Sequence, residues 1–279
     1  MNQHHWDEAL LTIEPRQSYA KILQITDPHI FADDEGCLLG LNTRHSLNAV
    51  LDDVREHHLD SDLILATGDI SQDHSRESYE HFASVMNTLG IPVAWIPGNH
   101  DTAEHMESEL AGEHFVSNKQ VQIGDWHIVL LDSSVENAVH GELGREQLVF
   151  LAECLNHSPA KYAMPVLHHH PVDIGCDWLA PIGLHDGQAL LSSLYGFPNV
   201  RALLWGHIHQ DYDAMLNGIR MLATPSTAVQ FKPGSSDFAA GEESPGYRTL
   251  LLHPDGKIDT VVHRIDHIDF TVDYTVKGY

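Results

Sequence analysis

Short apolar runs, each cut off by glycine, proline or a polar residue, alternate with stretches of helical spacing along most of the chain. Residues 19–26 alternate into Ile22-Leu23-Gln24-Ile25 and predict a first strand. Leu47, Val50, Leu51 and Val54 then recur as on one face of an amphipathic helix over 46–58. Leu63-Ile64-Leu65-Ala66 is fully apolar and stops at Thr67-Gly68, the pattern of a strand covered on both faces. Ser75 suits the cap of a second helix ending near Gly90, and 93–96 predicts a third strand stopped by Pro97. The second half continues with strands at 127–131, 163–167 and 202–205 and a helix over 142–155. Three closely spaced strands follow at 219–223, 248–252 and 258–262, after which 266–279 carries little pattern. The stretch 232–246, rich in Gly, Ser, Pro and acidic residues, reads as a loop. A βαβα beginning followed by clustered strands predicts an α/β fold of two sheets packed face to face and flanked by helices. No linker or internal repeat divides the 279 residues, so one domain is expected, with a core over about 20–263 and a C-terminal tail over 264–279.

The residues able to do chemistry sit where the apolar runs end. Asp27-Pro28-His29 comes first, then Gly68-Asp69, Gly98-Asn99-His100-Asp101, His168-His169-His170 and Gly206-His207-Ile208-His209. Two aspartates, an asparagine and at least three histidines at strand ends form a ligand set for two adjacent divalent metals. Such a pair cuts phosphate esters through a metal-activated hydroxide. Asp27 and His29 are two apart, and in extended chain both would point to one metal. Asp69 is the natural shared ligand, because a carboxylate has two oxygens. Asn99 adds a neutral oxygen. His100 follows it directly, points elsewhere on the chain, and suits a proton donor whose imidazole Asp101 would hold by a hydrogen bond. His207 and His209 repeat the two-apart spacing. Each motif has a bland counterpart: Gly-Asp and Pro-Gly-Asn make turns unaided, and a histidine run is a small coincidence among 23 histidines. Their order, each at a strand end, is what sets them apart.

Charge and cysteine content narrow the partners. With 15 Lys and Arg against 40 Asp and Glu, the formal net charge of −25 repels nucleic acid polymers and anionic membrane. A small anionic substrate stays compatible, since bound metals invert the field locally. A solvated acidic surface and salt adaptation both give this composition. Cys37, Cys154 and Cys176 form no CxxC pair and fit a reducing compartment. The polar residues 1–14 lack the features of a signal peptide, and no apolar run reaches the ~18–20 residues of a membrane span. A cytoplasmic location is expected.

The ordered series D-x-H, G-D, G-N-H-D, H-H and G-H-x-H resembles the calcineurin-like metallophosphoesterase superfamily over residues 22–209. The resemblance implies a four-layer αββα sandwich with metals at the sheet edges. It implies that Asp27, His29, Asp69 and His209 hold one ion, and Asp69, Asn99, His168 and His207 the other. Substrate contacts would fall on His29, Asp69, Asn99, His100 and His209, with His100 and Asp101 as the catalytic pair. The donor set suits Fe, Mn or Zn better than Mg. Gln24–His29, Leu39–Thr43, Ala66–Asp73, Thr224–Pro233 and Pro245–Leu250 resemble more narrowly the bacterial class III cyclic nucleotide phosphodiesterases, which hydrolyse 3′,5′-cyclic AMP. Phosphodiesterases of other small esters, such as 2′,3′-cyclic nucleotides or glycerophosphodiesters, need the same centre, and a non-catalytic metal-binding protein would have lost ligands that are all present here. Relatives often read H-H-P-P where this chain has His168-His169-His170-Pro171. Alignment on the proline would make His169 the ligand; alignment on the strand and Gly175 makes it His168, the preferred register. In Thr224–Pro233, the hydroxyls of Thr224, Ser226 and Thr227 are candidates to meet phosphate or ribose, and Phe231 offers a stacking face. The same stretch reads equally as a loop that packs the core.

Overall fold

A computed structural model describes residues 7–266, 268 and 270–273, so the end of the expected tail lies outside the described residues. In chain order the elements are β1 (Asp7–Ile13), β2 (Ala20–Ile25), β3 (Cys37–Leu38), β4 (Leu41–Asn42), α1 (Thr43–His57), β5 (Leu63–Ala66), α2 (Arg76–Asn87) and β6 (Val93–Trp95). There follow α3 (Ala103–Glu109), β7 (Phe115–Val116), β8 (Asn118–Ile123), β9 (Trp126–Leu130), α4 (Gly144–Asn156) and β10 (Tyr162–Val166). The last are α5 (Gly187–Leu194), β11 (Ala202–Trp205), β12 (Tyr212–Leu216), β13 (Ile219–Ala223), β14 (Gly246–Leu252) and β15 (Ile258–Arg264).

The strands build two mixed sheets and a small hairpin, β3-β4. The seven-stranded sheet runs β1-β8-β9-β10-β11-β13-β12 and the six-stranded sheet β15-β14-β2-β5-β6-β7. Period-2 alternation distributes each central strand between two cores. Ile22, Leu63, Leu65 and Ala94 from the six-stranded sheet meet Ile128, Leu130, Met164, Val166 and Leu204 from the other, which makes the layer between the sheets. Their alternates, among them Leu23, Ile25, Ile64, Val129 and Leu203, pack in a second cluster that includes the buried faces of the helices. Central strands buried on both faces explain why they read as continuous apolar runs. The result is an α/β arrangement of two mixed sheets flanked by helices.

Local chemistry sets most of the ends. α1 starts three residues earlier than its apolar pattern, because Asn42 caps it by accepting from His45 N at 2.8 Å. Ser75 caps α2 through Ser78 N, as expected. α4 is anchored from a distance: the Asp186 carboxylate accepts from Leu143 N and Gly144 N at 3.0 and 2.9 Å. Several elements escaped the sequence pattern. β1 pairs parallel with β8 through a segment that looked only polar, while β7, β8, β12, α3 and α5 are short or partly exposed, so their apolar periodicity is weak.

Candidate metal centre

The parallel strands of both sheets end at one place, and each end bends sharply. Five of the nine non-glycine residues with positive φ, among the described residues, belong to the motifs: Asp27 (53°), His29 (48°), Asp69 (50°), His207 (68°) and His209 (48°). Left-handed backbone at such residues costs on the order of 1–3 kcal/mol each, so surrounding structure has to enforce it. Here two loops hold each other, with Asp27 N donating to Gly68 O and His29 N to Asp69 O, both at 3.0 Å. The extended geometry expected for Asp27 and His29 is therefore not what forms, although both side chains do reach one site. Glycine is required where the loops touch. A Cβ on Gly98 would lie 2.1 Å from Asp69 Oδ1, and one on Gly206 would lie 2.1 Å from Thr26 Oγ1.

Asp27, His29, Asp69, His168, His207 and His209 are all buried, with Asn99 and His100 half-buried beside them. Ligand atoms of Asp27, His29 and His209 lie within 4.8 Å of one another, as do those of Asp27, Asp69 and His168. The second set of hydrogen bonds shows which ring nitrogens are available. A carbonyl only accepts, so the nitrogen facing it carries the hydrogen. His168 Nδ1 donates to Thr67 O and His209 Nδ1 to Val229 O, both at 2.7 Å. His29 Nδ1 meets Gln72 Oε1 at 2.7 Å. In the neutral rings it is therefore Nε2 that offers a lone pair, and all three Nε2 atoms turn inward. His29 Nε2 and His209 Nε2 face each other at 3.1 Å, and His168 Nε2 lies 3.4 Å from Asp69 Oδ2 and 3.3 Å from Asn99 Oδ1. Lone pairs converging on lone pairs repel unless a cation lies among them.

His207 is reversed. Its Nε2 donates to Ile182 O at 3.0 Å, leaving Nδ1 buried without a hydrogen-bond partner. Asp69 Oδ2 is also buried and unpartnered, whereas Oδ1 accepts from His100 N at 2.8 Å. One oxygen of Asp69, not two, thus faces both halves of the centre. An unpaired buried oxygen and an unpaired buried nitrogen, in a pocket of inward lone pairs, fit two divalent cations. The charge preference is visible in His168. Burial presses its pKa down, but the carboxylates of Asp69 and Asp27 outweigh burial and lift it to about 9. The pocket wants positive charge at that spot.

The histidine run separates cleanly. His169 lies close enough to His168 and His207 to join a ligand group by distance. Both of its ring nitrogens are engaged, however: Nε2 donates to Val139 O at 3.2 Å and Nδ1 meets Ser133 Oγ at 2.8 Å. His168 turns a lone pair to the carboxylates; His169 does not. The ring of His170 stacks on His207 at 5.6 Å and 18°.

One expectation needs correction, and one open alternative is narrowed. Asp101 does not hold the His100 imidazole. Its carboxylate accepts from Gly98 N (2.9 Å), Ile70 N (3.0 Å), Ser71 N (3.1 Å) and Tyr79 Oη (3.1 Å), so four donors from neighbouring loops take it up. Asp101 fastens the Asn99 loop to the Asp69 loop. Burial, then the Asp69 charge, pushes its pKa up to about 6. The His100 ring instead lies edge-on to His29 at 5.1 Å, with its pKa lowered, first by burial. The open alternative concerns Thr224–Pro233. The Thr224 hydroxyl donates to Gln24 Oε1, Ser226 Oγ donates to Asp27 O at 2.6 Å, and Thr227 is buried. Phe231, also buried, stacks on His209 at 4.1 Å and 6°. The stretch packs behind the candidate ligands; the Phe231 face is spent on His209, and the Thr227 hydroxyl is buried with no hydrogen-bond partner. Thr26, Thr67, Gln72 and Val229 were not singled out from sequence. Gln72 lies in a stretch shared with the phosphodiesterases, but backbone carbonyls such as those of Thr67 and Val229 leave no sequence signal.

Residues 20–211 match the calcineurin-like phosphoesterase family, and the chain belongs to it. It is 45% identical over 258 residues to the 3′,5′-cyclic adenosine monophosphate phosphodiesterase CpdA of Pseudomonas aeruginosa, covering 92% of this chain and 94% of that one. It is also 45% identical to CpdA of Escherichia coli (strain K12), over 98% of this chain and 100% of that one. Among solved structures it resembles a dimetal phosphatase from Danio rerio with a TM-score of 0.60 at 16% identity, covering 88% of this chain and 99% of the other. At that identity the likeness shows the fold.

Proposed function

We propose that the chain hydrolyses 3′,5′-cyclic AMP to 5′-AMP at a pair of divalent ions held between the ends of its two sheets. The observation that carries the metal reading is the facing pair His29 Nε2 and His209 Nε2, 3.1 Å apart with both Nδ1 atoms committed elsewhere. The substrate reading rests on relatives of that name at 45% identity over nearly the whole chain. Asp27, His29, Asp69 and His209 would hold one ion. Asp69, Asn99, His168 through Nε2 and His207 through Nδ1 would hold the other. The imidazole-rich set favours Fe, Mn or Zn. When bound, the ions supply the Lewis acidity that activates water and offsets charge on the phosphoryl oxygens.

The chain's own residues do the rest. Asp69 Oδ2 stands between the two halves, 3.8 Å from His29 Nε2 and 3.4 Å from His168 Nε2, and binds them into one centre. Gln72, Thr67 and Val229 fix ring tautomers, so the imidazoles meet cations with lone pairs already aimed. His100, half-buried and edge-on to His29, would give a proton to the ribose oxygen that leaves. His29, Asp69, Asn99, His100 and His209 border the space where the phosphate sits. Residues 1–279 act as one domain in a cytoplasmic enzyme whose partner is a small cyclic nucleotide. Among the described residues no helix is long and apolar enough to cross a membrane.

Initial rates at subsaturating 3′,5′-cyclic AMP and 2′,3′-cyclic AMP, each with Mn²⁺, test the substrate. The 3′,5′ isomer should show the higher kcat/KM and give 5′-AMP. Preference for the 2′,3′ isomer, or no turnover of cyclic AMP with any of Mn²⁺, Fe²⁺ or Zn²⁺, overturns the assignment.

A further inference from the structure

A second group of metal-binding side chains lies on the outer face of the six-stranded sheet and shares no residue with the centre above. Asp53 on α1, His58 just past its end and His263 on β15 each present a ligand atom, and the three atoms lie within 4.8 Å of one another. His58 Nδ1 is buried with no hydrogen-bond partner. His263 Nε2 lies 3.0 Å from Thr249 Oγ1, whose own hydrogen goes to Val261 O at 3.4 Å. The His263 nitrogen is therefore the donor, and its Nδ1 keeps a lone pair.

The group is held in place. Tyr247 Oη donates to Asp53 Oδ2 at 2.5 Å, while its ring stacks on His263 at 4.8 Å and 17°. His58 and His263 meet at 4.7 Å. Burial, then Lys21, lowers the His58 pKa to about 4, and burial lowers that of His263, so both rings are neutral near pH 7, the form a metal binds. The facing ammonium of Lys21 is paired with Asp60. His57 Nδ1 stands 3.2 Å from Asp53 Oδ1 at the rim.

We propose that Asp53, His58 and His263 bind one transition-metal ion of the Zn²⁺ or Ni²⁺ class, apart from the paired-ion centre. Two imidazoles and one carboxylate suit such ions and leave a position for water. The ion would tie the end of α1 to the β14–β15 edge. α1 also carries Ser46, whose hydroxyl donates to Thr227 O at 2.5 Å in the stretch behind His209, so the clip braces the active-site support without entering the chemistry.

The test is the metal content per chain after Zn²⁺ loading and desalting, for wild type, His58→Gln and His263→Gln. Each variant should hold one equivalent fewer than wild type, keep its rate of cyclic AMP hydrolysis, and lose part of the rise in thermal midpoint that Zn²⁺ gives wild type. Equal metal content in wild type and both variants overturns the site, and a lowered midpoint without Zn²⁺ then makes the cluster an aromatic packing feature. If His263→Gln does not fold, His58→Gln, outside the sheet, decides the question alone.

Discussion

The two sheets contribute differently to the centre. The six-stranded sheet brings all the anionic charge, with Asp27 after β2, Asp69 after β5, and Asn99 and His100 after β6. The seven-stranded sheet brings only imidazoles, with His168 after β10 and His207 and His209 after β11. Neither holds a complete ion site, since each of the two proposed ions takes ligands from both. The centre therefore exists only when the apolar layer between the sheets is packed, and metal binding is coupled to that packing. The sheets are also cross-linked at the site itself, where His207 N donates to both Asp27 oxygens at 3.1 and 3.0 Å.

The largest effect should come from the anionic side. Asp69→Ala removes the oxygen that serves both ions, so metal content should fall and hydrolysis drop by several orders of magnitude while circular dichroism stays that of the folded protein. Near-normal turnover with metal in excess would show that Asp69 is not shared. On the imidazole side, metal titration of His168→Ala, His169→Ala and His170→Ala should rank His168 as the most damaging for occupancy. A neutral His168 and a sensitive His169 would reverse the register.

His100→Ala tests proton transfer apart from metal binding. Loss of about 10²–10⁴-fold is expected on cyclic AMP, and less on an aryl phosphodiester whose leaving group needs no proton. Equal losses on both substrates, or loss of metal, would give His100 another role. The smallest effect should come from the ring of supports. Gln72→Ala frees His29 Nδ1 and should weaken metal affinity by roughly 10–100-fold, the range for a partner behind a ligand. Unchanged affinity would mean that contacts to His100 and His209 alone hold the His29 ring.

Much of this was legible in the chain. Buried strands announce themselves because both faces are apolar, and the motif at the end of each names the candidate donors Asp27, His29, Asp69, Asn99, His168, His207 and His209. That is local information: a residue type, its spacing and the punctuation that follows. Asp101 marks the limit. Adjacency to His100 suggested a catalytic pair, yet its carboxylate is taken by amides of Ile70 and Ser71, about thirty positions away. For Phe231 and the hydroxyls of Thr224 and Ser226 the sequence left substrate contact and core packing equally open, and the fold makes them supports. Which ring nitrogen of each histidine is free depends on carbonyls of Thr67, Ile182 and Val229, and a carbonyl is the same at every position in any sequence. The proposal of His168 over His169 as the ligand rests on the same rule. The chain by itself determined the candidate donors and the strands that carry them. Only tertiary structure decided their orientation, because the groups that orient them are backbone atoms brought near by packing two sheets together.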